Sequence, residues 1–344
     1  MRHLKISPFA MLRTCAAAIL LGVTASCVTA PAPQAAGCGS TQDQSCLILL
    51  GTAGGPVAKP LRSQPSAAIM AGNELYMIDM GAGTIGQMAK AGFKVTDVDA
   101  VFFTHNHLDH NADLGTFMAF RLIAGLGAAV DIVGPPGTQE VVRRSLQGVA
   151  YQLEIFASEV ANFPVIQIDR DFPVTEGVPG VVYKDEKIRV TAVENTHFKH
   201  IAPGSPASGR DKSYSYRFDM PDKSIVITGD TGWSDDLVEL ARGADILVSE
   251  IIDTEKMSAI VNMQAVAGNW PAKRRDDVLA HHLEGHLPAE DVGRLATMAG
   301  VKTLVLTHFV PTPLDTLDTQ NFVSGVRNTY SGPLIAGYDL QVIK

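Results

Sequence analysis

The chain has 344 residues, 46% of them apolar and 19% charged, with a formal net charge of −8. That composition excludes an intrinsically disordered protein and is ample for one large core. The acidic balance argues against nucleic acid as a partner, because proteins that grip it carry a basic footprint.

Residues 1–26 read as a signal peptide. Arg2, Lys5 and Arg13 precede an apolar run at 16–23, which is too short to span a bilayer. Two processing routes fit. Val23-Thr24-Ala25 suits cleavage after Ala25, whereas Thr24-Ala25-Ser26-Cys27 resembles a bacterial lipoprotein box, with Thr where Leu is usual. Cysteine parity favours the second route. With Cys27 acylated, Cys38 and Cys46 are left to pair in an oxidising compartment. On either route the protein is expected to be exported, periplasmic or lipid-anchored, and to meet a membrane only through Cys27. Residues 27–45, Pro/Ala-rich at 29–36, read as a flexible linker. Residues 46–344 read as the folded domain.

Within that domain, short apolar runs run into ligand-type residues again and again. The glycine-rich 51–55 follows a strand pattern but lacks the residues of a phosphate loop, so it reads as a turn. The run 100–103 delivers Thr104-His105-Asn106-His107-Leu108-Asp109-His110. Side chains two apart on an extended segment face the same way, so His105 and His107 can grip one ion. Asp109 and His110, past the strand, can reach a second. Helical patterns follow at 114–126 and 138–146. Run 188–193 leads to His197, run 225–228 to Gly229-Asp230-Thr231, and run 244–248 to Ser249-Glu250. His200 stands by the Gly/Pro/Ser-rich loop 202–209, where it either contacts substrate or is simply solvated. The segment 253–285 holds Met257, Met263, Trp270, Arg274, Arg275, His281 and His282, and reads either as a partly helical lid with apolar surface for the cleft mouth or as a packing insertion. His286 precedes a helical pattern at 289–298, and run 303–307 ends in His308. Strands alternating with helices indicate an α/β class. Imidazole with carboxylate suits zinc, with manganese or iron as alternatives.

These motifs, with Ile78-Asp79-Met80-Gly81 and Val133-Gly134-Pro135-Pro136-Gly137, resemble the metallo-β-lactamase-fold hydrolases, in the branch of ribonuclease Z and the arylsulfatase-like enzymes. The resemblance runs from about residue 47 to the end. It implies an αββα sandwich of two similar halves, although no internal repeat is legible in the sequence. It assigns His105, His107 and His197 to a first zinc ion, and Asp109, His110 and His308 to a second, with Asp230 bridging. It also implies that Glu250 orients His286, which protonates the leaving group. Asp109, His286 and Glu250 are thus the catalytic candidates.

Two ions about 3.5–4 Å apart would lower the pKa of a shared water and absorb developing negative charge. The leading expectation is hydrolysis of a small ester by metal-activated hydroxide, a sulfate ester first and a phosphodiester next. Alternatives are a β-lactam or lactone hydrolase, a ribonuclease Z-like phosphodiesterase and a non-catalytic metal-binding protein. The arm with which ribonuclease Z grips tRNA is not recognisable between Gly137 and His197, which again speaks against nucleic acid. A homo-oligomer is compatible with the sequence.

Overall fold

Two seven-stranded sheets face each other. The computed structural model describes Cys38 and residues 44–125, 127–313 and 318–344. The signal peptide at 1–26 and the candidate anchor Cys27 lie outside the described residues. Among the described residues the first full strand begins at Ser45, at the end of the expected linker, and its Cys46 is disulfide-bonded to Cys38. Among the described residues, no helix is long and apolar enough to cross a membrane.

The first sheet contains β1 (Ser45–Gly51), β2 (Ser66–Ala71), β3 (Glu74–Ile78), β4 (Val98–Phe102), β5 (Asp131–Gly134) and β6 (Val174–Glu176). The second contains β7 (Gly180–Lys184), β8 (Arg189–Glu194), β9 (Tyr214–Asp219), β10 (Ser224–Ile227), β11 (Ile246–Ile252), β12 (Thr303–Val310) and β13 (Leu334–Ala336). The last strand, β14 (Gln341–Ile343), returns to pair with β1. The orders are β14-β1-β2-β3-β4-β5-β6 and β13-β12-β11-β10-β9-β8-β7. From β14 and from β7, each sheet runs through three antiparallel pairings and then three parallel ones. The two-half repeat therefore exists in pairing pattern, where the sequence does not display it.

Pleating explains the apolar runs. In β1, Leu47 and Leu49 enter the core between the sheets, while Cys46, Ile48 and Leu50 pack towards the helices. Phe102 from the first sheet meets Phe218 from the second edge-to-face, with centroids 5.2 Å apart. Helices α1 (Thr84–Ala91), α2 (Leu108–Asn111), α3 (Leu114–Ile123), α4 (Thr138–Glu159) and α5 (Ile168–Asp171) accompany the first sheet in sequence. Helices α6 (Asp235–Leu240), α7 (Thr254–Ala267), α8 (Ala272–Gly285), α9 (Ala289–Ala299) and α10 (Gln320–Arg327) accompany the second. The helical patterns at 114 and 289 match α3 and α9. Helix α4 runs well past the expected end at 146, because nothing in that stretch breaks it. Helix α9 stops at Gly300, whose φ of 65° lets its N–H reach back to the carbonyls of Ala296 and Thr297.

One local irregularity prepares the site. Between β11 and β12 the register shifts, so that Ser249 pairs with Leu306 but Ile251 pairs with Phe309. Glu250 alone thus faces both Thr307 and His308. This is a bulge, and it re-aims side chains at the rim. The expected strand end at His308 is corrected accordingly: β12 continues to Val310, and His308 takes a left-handed backbone (φ 44°) within it.

Candidate metal centre and active site

The heptad is fixed from behind by Asp79, at the end of β3. Its carboxylate accepts from Thr104 N (2.8 Å) and Thr104 Oγ1 (2.9 Å). The same carboxylate lies 2.8 Å from His110 Nδ1, which leaves Nε2 of that ring facing the cleft. Sequence reasoning gave Asp79 no role. The only signal was a carboxylate at a strand end, like that of Asp230.

His105, His107 and His197 come together. His107 Nδ1 lies 3.1 Å from His105 Nε2 and 3.2 Å from His197 Nε2. Such spacings approach the edge of a tetrahedron with zinc-like bonds, about 3.3 Å. His197 Nδ1 donates to Gly285 O at 2.8 Å, a carbonyl at the end of α8. That bond fixes the tautomer and leaves Nε2 free to bind a cation.

Asp109, His110 and His308 form a second group. Asp109 Oδ2 lies 3.7 Å from His110 Nε2 and 3.8 Å from His308 Nε2. Asp230 stands between the two groups. Its Oδ2 is 3.4 Å from His110 Nε2 and 3.9 Å from His105 Nε2, and its Oδ1 is 3.2 Å from His308 Nε2. The sharp turn before it requires Gly229, whose φ is 58° and where a Cβ would stand 2.8 Å from Thr104 Cβ. Among the described residues, the buried atoms His110 Nε2, His308 Nε2 and Asp230 Oδ1 have no hydrogen-bond partner. Orphaned buried polar atoms are costly unless a ligand satisfies them. These three converge at one place, so the residues fit a bound metal.

The electrostatics agree. Burial, reinforced for His105 by His110 and for His197 by His286, pushes both imidazoles well below the usual histidine range. Neutral imidazole is the form that ligates metal. Asp230 is held well below the carboxylate range: burial opposes this, but His308 and His110 outweigh it.

Glu250 and His286 also meet, with His286 Nδ1 donating to Glu250 Oε2 at 3.0 Å. The other carboxylate oxygen, Oε1, accepts from Leu287 N (2.9 Å) and Thr231 N (3.2 Å). Burial alone would lower the His286 pKa, but the Glu250 carboxylate raises it to about 9. His286 shares a ligand-sized cluster with Asp230 and His308. The Glu250 carboxylate thus favours the protonated form of the imidazole beside the second group.

A cavity of about 260 Å³ opens in front of these residues. Its outer wall includes Gly55, Leu108, His281 and His282. The turn reading of 51–55 accords with this, because a Cβ at Gly54 would stand 2.8 Å from Phe309 O. The lid expectation needs correcting. Segment 253–285 is indeed the helical pair α7 and α8, but Met257, Met263 and Trp270 do not line the cavity, and two histidines do. Burial, then neighbouring imidazoles, push His281 down to about 4 and His282 to about 3. Arg274 lies over the Trp270 ring, Arg275 pairs with Asp276, and His200 lies 3.4 Å from Glu284.

A two-sheet sandwich carrying histidine and aspartate clusters at its rim has the arrangement of a metallo-β-lactamase-fold hydrolase. The β-lactamase superfamily domain matches residues 76–309. A ribonuclease Z of Mycolicibacterium gilvum (strain PYR-GCK) is 30% identical over 269 residues, 77% of this chain and 84% of that protein. A ribonuclease Z of Mycobacterium bovis is 28% identical over 301 residues, covering 87% and 97%. In fold, the metallo-beta-lactamase fold protein YhfI from Bacillus subtilis superposes with TM-score 0.59 at 18% identity, covering 88% of this chain and all of that one. Human tRNase Z, short form, gives 0.58 at 19%, covering 87% and 98%. The chain belongs to the β-lactamase superfamily, as a metal-dependent hydrolase of its ribonuclease Z branch. Relatives named for RNA cleavage give no support to a sulfate ester as first substrate. Nucleic acid, disfavoured as a partner by charge, is what the names of these relatives point to for them.

Proposed function

We propose that the chain is a phosphodiesterase, hydrolysing a P–O ester bond at the cluster built around Asp230. The pair Glu250–His286 is the observation that carries this reading, because a protonated imidazole beside the ligand groups suits a poor alkoxide leaving group. His105, His107 and His197 would hold one ion, and Asp109, His110 and His308 the other, with Asp230 shared. Two ions bound there, zinc by ligand type with manganese or iron as alternatives, would acidify water and neutralise charge on the phosphoryl oxygens. The chain's own residues do the rest. Glu250, pinned by two backbone N–H groups, takes the Nδ1 proton of His286 as a hydrogen bond and so turns Nε2–H towards the cleft. As the P–O bond breaks, that proton passes to the departing oxygen, and Glu250 has stabilised the imidazolium that supplies it. Asp79 keeps His110 in the ligating tautomer from behind.

The test is His286→Ala. The variant keeps the wild-type metal content but loses about 10²–10⁴ in kcat on a dialkyl phosphate, and far less on a diester with a nitrophenol leaving group. Equal losses on both would contradict the proton-donor role.

We further propose that the protein is exported. The Cys38–Cys46 disulfide supports this, since such bonds persist in oxidising compartments.

A further inference from the structure

We propose that His281 and His282, on the last turns of α8, form the leaving-group subsite: a ring-faced wall that receives an aromatic ring carried by the departing alcohol. The inference rests on the phosphodiesterase reading and extends it to substrate class.

The departing oxygen must approach His286, and the cavity wall beside His286 is made by these two residues. The His282 ring stacks on His286, with centroids 6.0 Å apart and planes 27° apart. The His281 ring lies 5.7 Å from His286 and 5.7 Å from His107. Both histidines line the cavity that also holds Asp109, Asp230 and His308. His282 Nδ1 is buried without a hydrogen-bond partner, as expected of an atom kept for a ligand. Leu108 adds apolar surface at the mouth, exposed over 68% of its area. Flat rings stack on imidazole and pack against such surface with little demand on their substituents.

The wall is held in place by the metal cluster. Gly285 O, three residues after His282, accepts from His197 Nδ1. A Cβ at Gly232 would collide with Glu284 O, so the end of α8 is seated directly on the segment after Asp230. A third metal at His197, His281 and His286 is the competing use of these rings, because their nitrogens lie within 4.8 Å of one another. It would compete for nitrogens already in use: His197 turns Nε2 to His107 in the first group, and the phosphodiesterase reading reserves His286 Nε2–H for the departing oxygen.

The experiment compares two methyl phosphodiesters, one releasing phenol and the other trifluoroethanol, which has no ring. Wild type, H281A/H282A and the milder H281Q and H282N are assayed as zinc-loaded full chains. Metal content and thermal melting are measured on each. Methyl phenyl phosphate is also titrated calorimetrically into H286A with and without H281A/H282A. The expected result is a rise of about tenfold in KM for the phenyl diester, with kcat within about twofold, KM for the trifluoroethyl diester unchanged and metal content unchanged. The calorimetric Kd should weaken by the same factor. The milder variants should show the same selective rise in smaller measure. Equal effects on both diesters, no effect, or loss of metal would overturn the subsite while leaving the phosphodiesterase reading intact. A wild-type chain that turns over neither diester would overturn both.

Discussion

Asp79 is where single side chains organise the site, because one carboxylate secures both ends of the heptad. It accepts from Thr104 before His105 and lies against His110 at the far end. Asp79→Asn should therefore weaken metal retention at the second group by about 10–100-fold, read by competition with a chelator, without unfolding the chain. Retention equal to wild type would show that His110 needs no such support. Glu250→Gln gives a test in pH. The His286 pKa stands at about 9 because Glu250 overcomes burial. A proton donor works below its pKa, so kcat should fall as pH rises through about 9 in the wild type. With the carboxylate gone, burial wins and the fall moves to lower pH. An unmoved alkaline limb would mean that another group sets it. At this scale the sequence was informative wherever ligands are local, as in the heptad. Asp79 escaped because its partners lie 25 and 31 residues away, and only the pairing of β3 with β4 brings them together.

Among elements, the runs that end in ligands were legible because a strand buried on both faces reads as an unbroken apolar stretch. The bulge of β11 against β12 was not. It depends on two strands far apart in sequence, and it alone explains how Glu250 and His308 share one rim. The use of α8 was legible only in part, since segment 253–285 was expected at the cleft mouth through its apolar residues, whereas its two histidines line the cavity. The contact of its last carbonyl with His197 and the packing of the His281 ring near His107 and His197 tie it to the cluster. The link between Cys38 and the first strand bears on compartment. Alkylation of the denatured, unreduced protein should label neither Cys38 nor Cys46. Labelling of both would contradict the disulfide and remove the support for export.

For the whole molecule, two halves of like pairing order carry one shared cluster. The first sheet's rim supplies Asp79 and the heptad; the second supplies His197, Asp230, Glu250 and His308. Fold class, and the histidines and aspartates that gather at the rim, could be read from motifs because both are written at strand ends. The acid part of the substrate could not, because a two-metal cluster can in general stabilise charge on a phosphoryl, sulfuryl or acyl oxygen. A net charge of −8 pointed away from nucleic acid, whereas the relatives that match over most of the chain are ribonucleases. The reading that joins these facts is phosphodiester chemistry at a cleft narrowed by α8.

The most direct test is turnover of one nitrophenol leaving group presented as phosphodiester, sulfate monoester, carboxylic ester and chromogenic β-lactam, by zinc-loaded wild type and His110→Ala. The account expects the phosphodiester to be hydrolysed fastest, with loss of that activity in the variant alongside loss of metal from the second group. Preferential turnover of the sulfate or the acyl substrates, or phosphodiester turnover that survives His110→Ala, would contradict it.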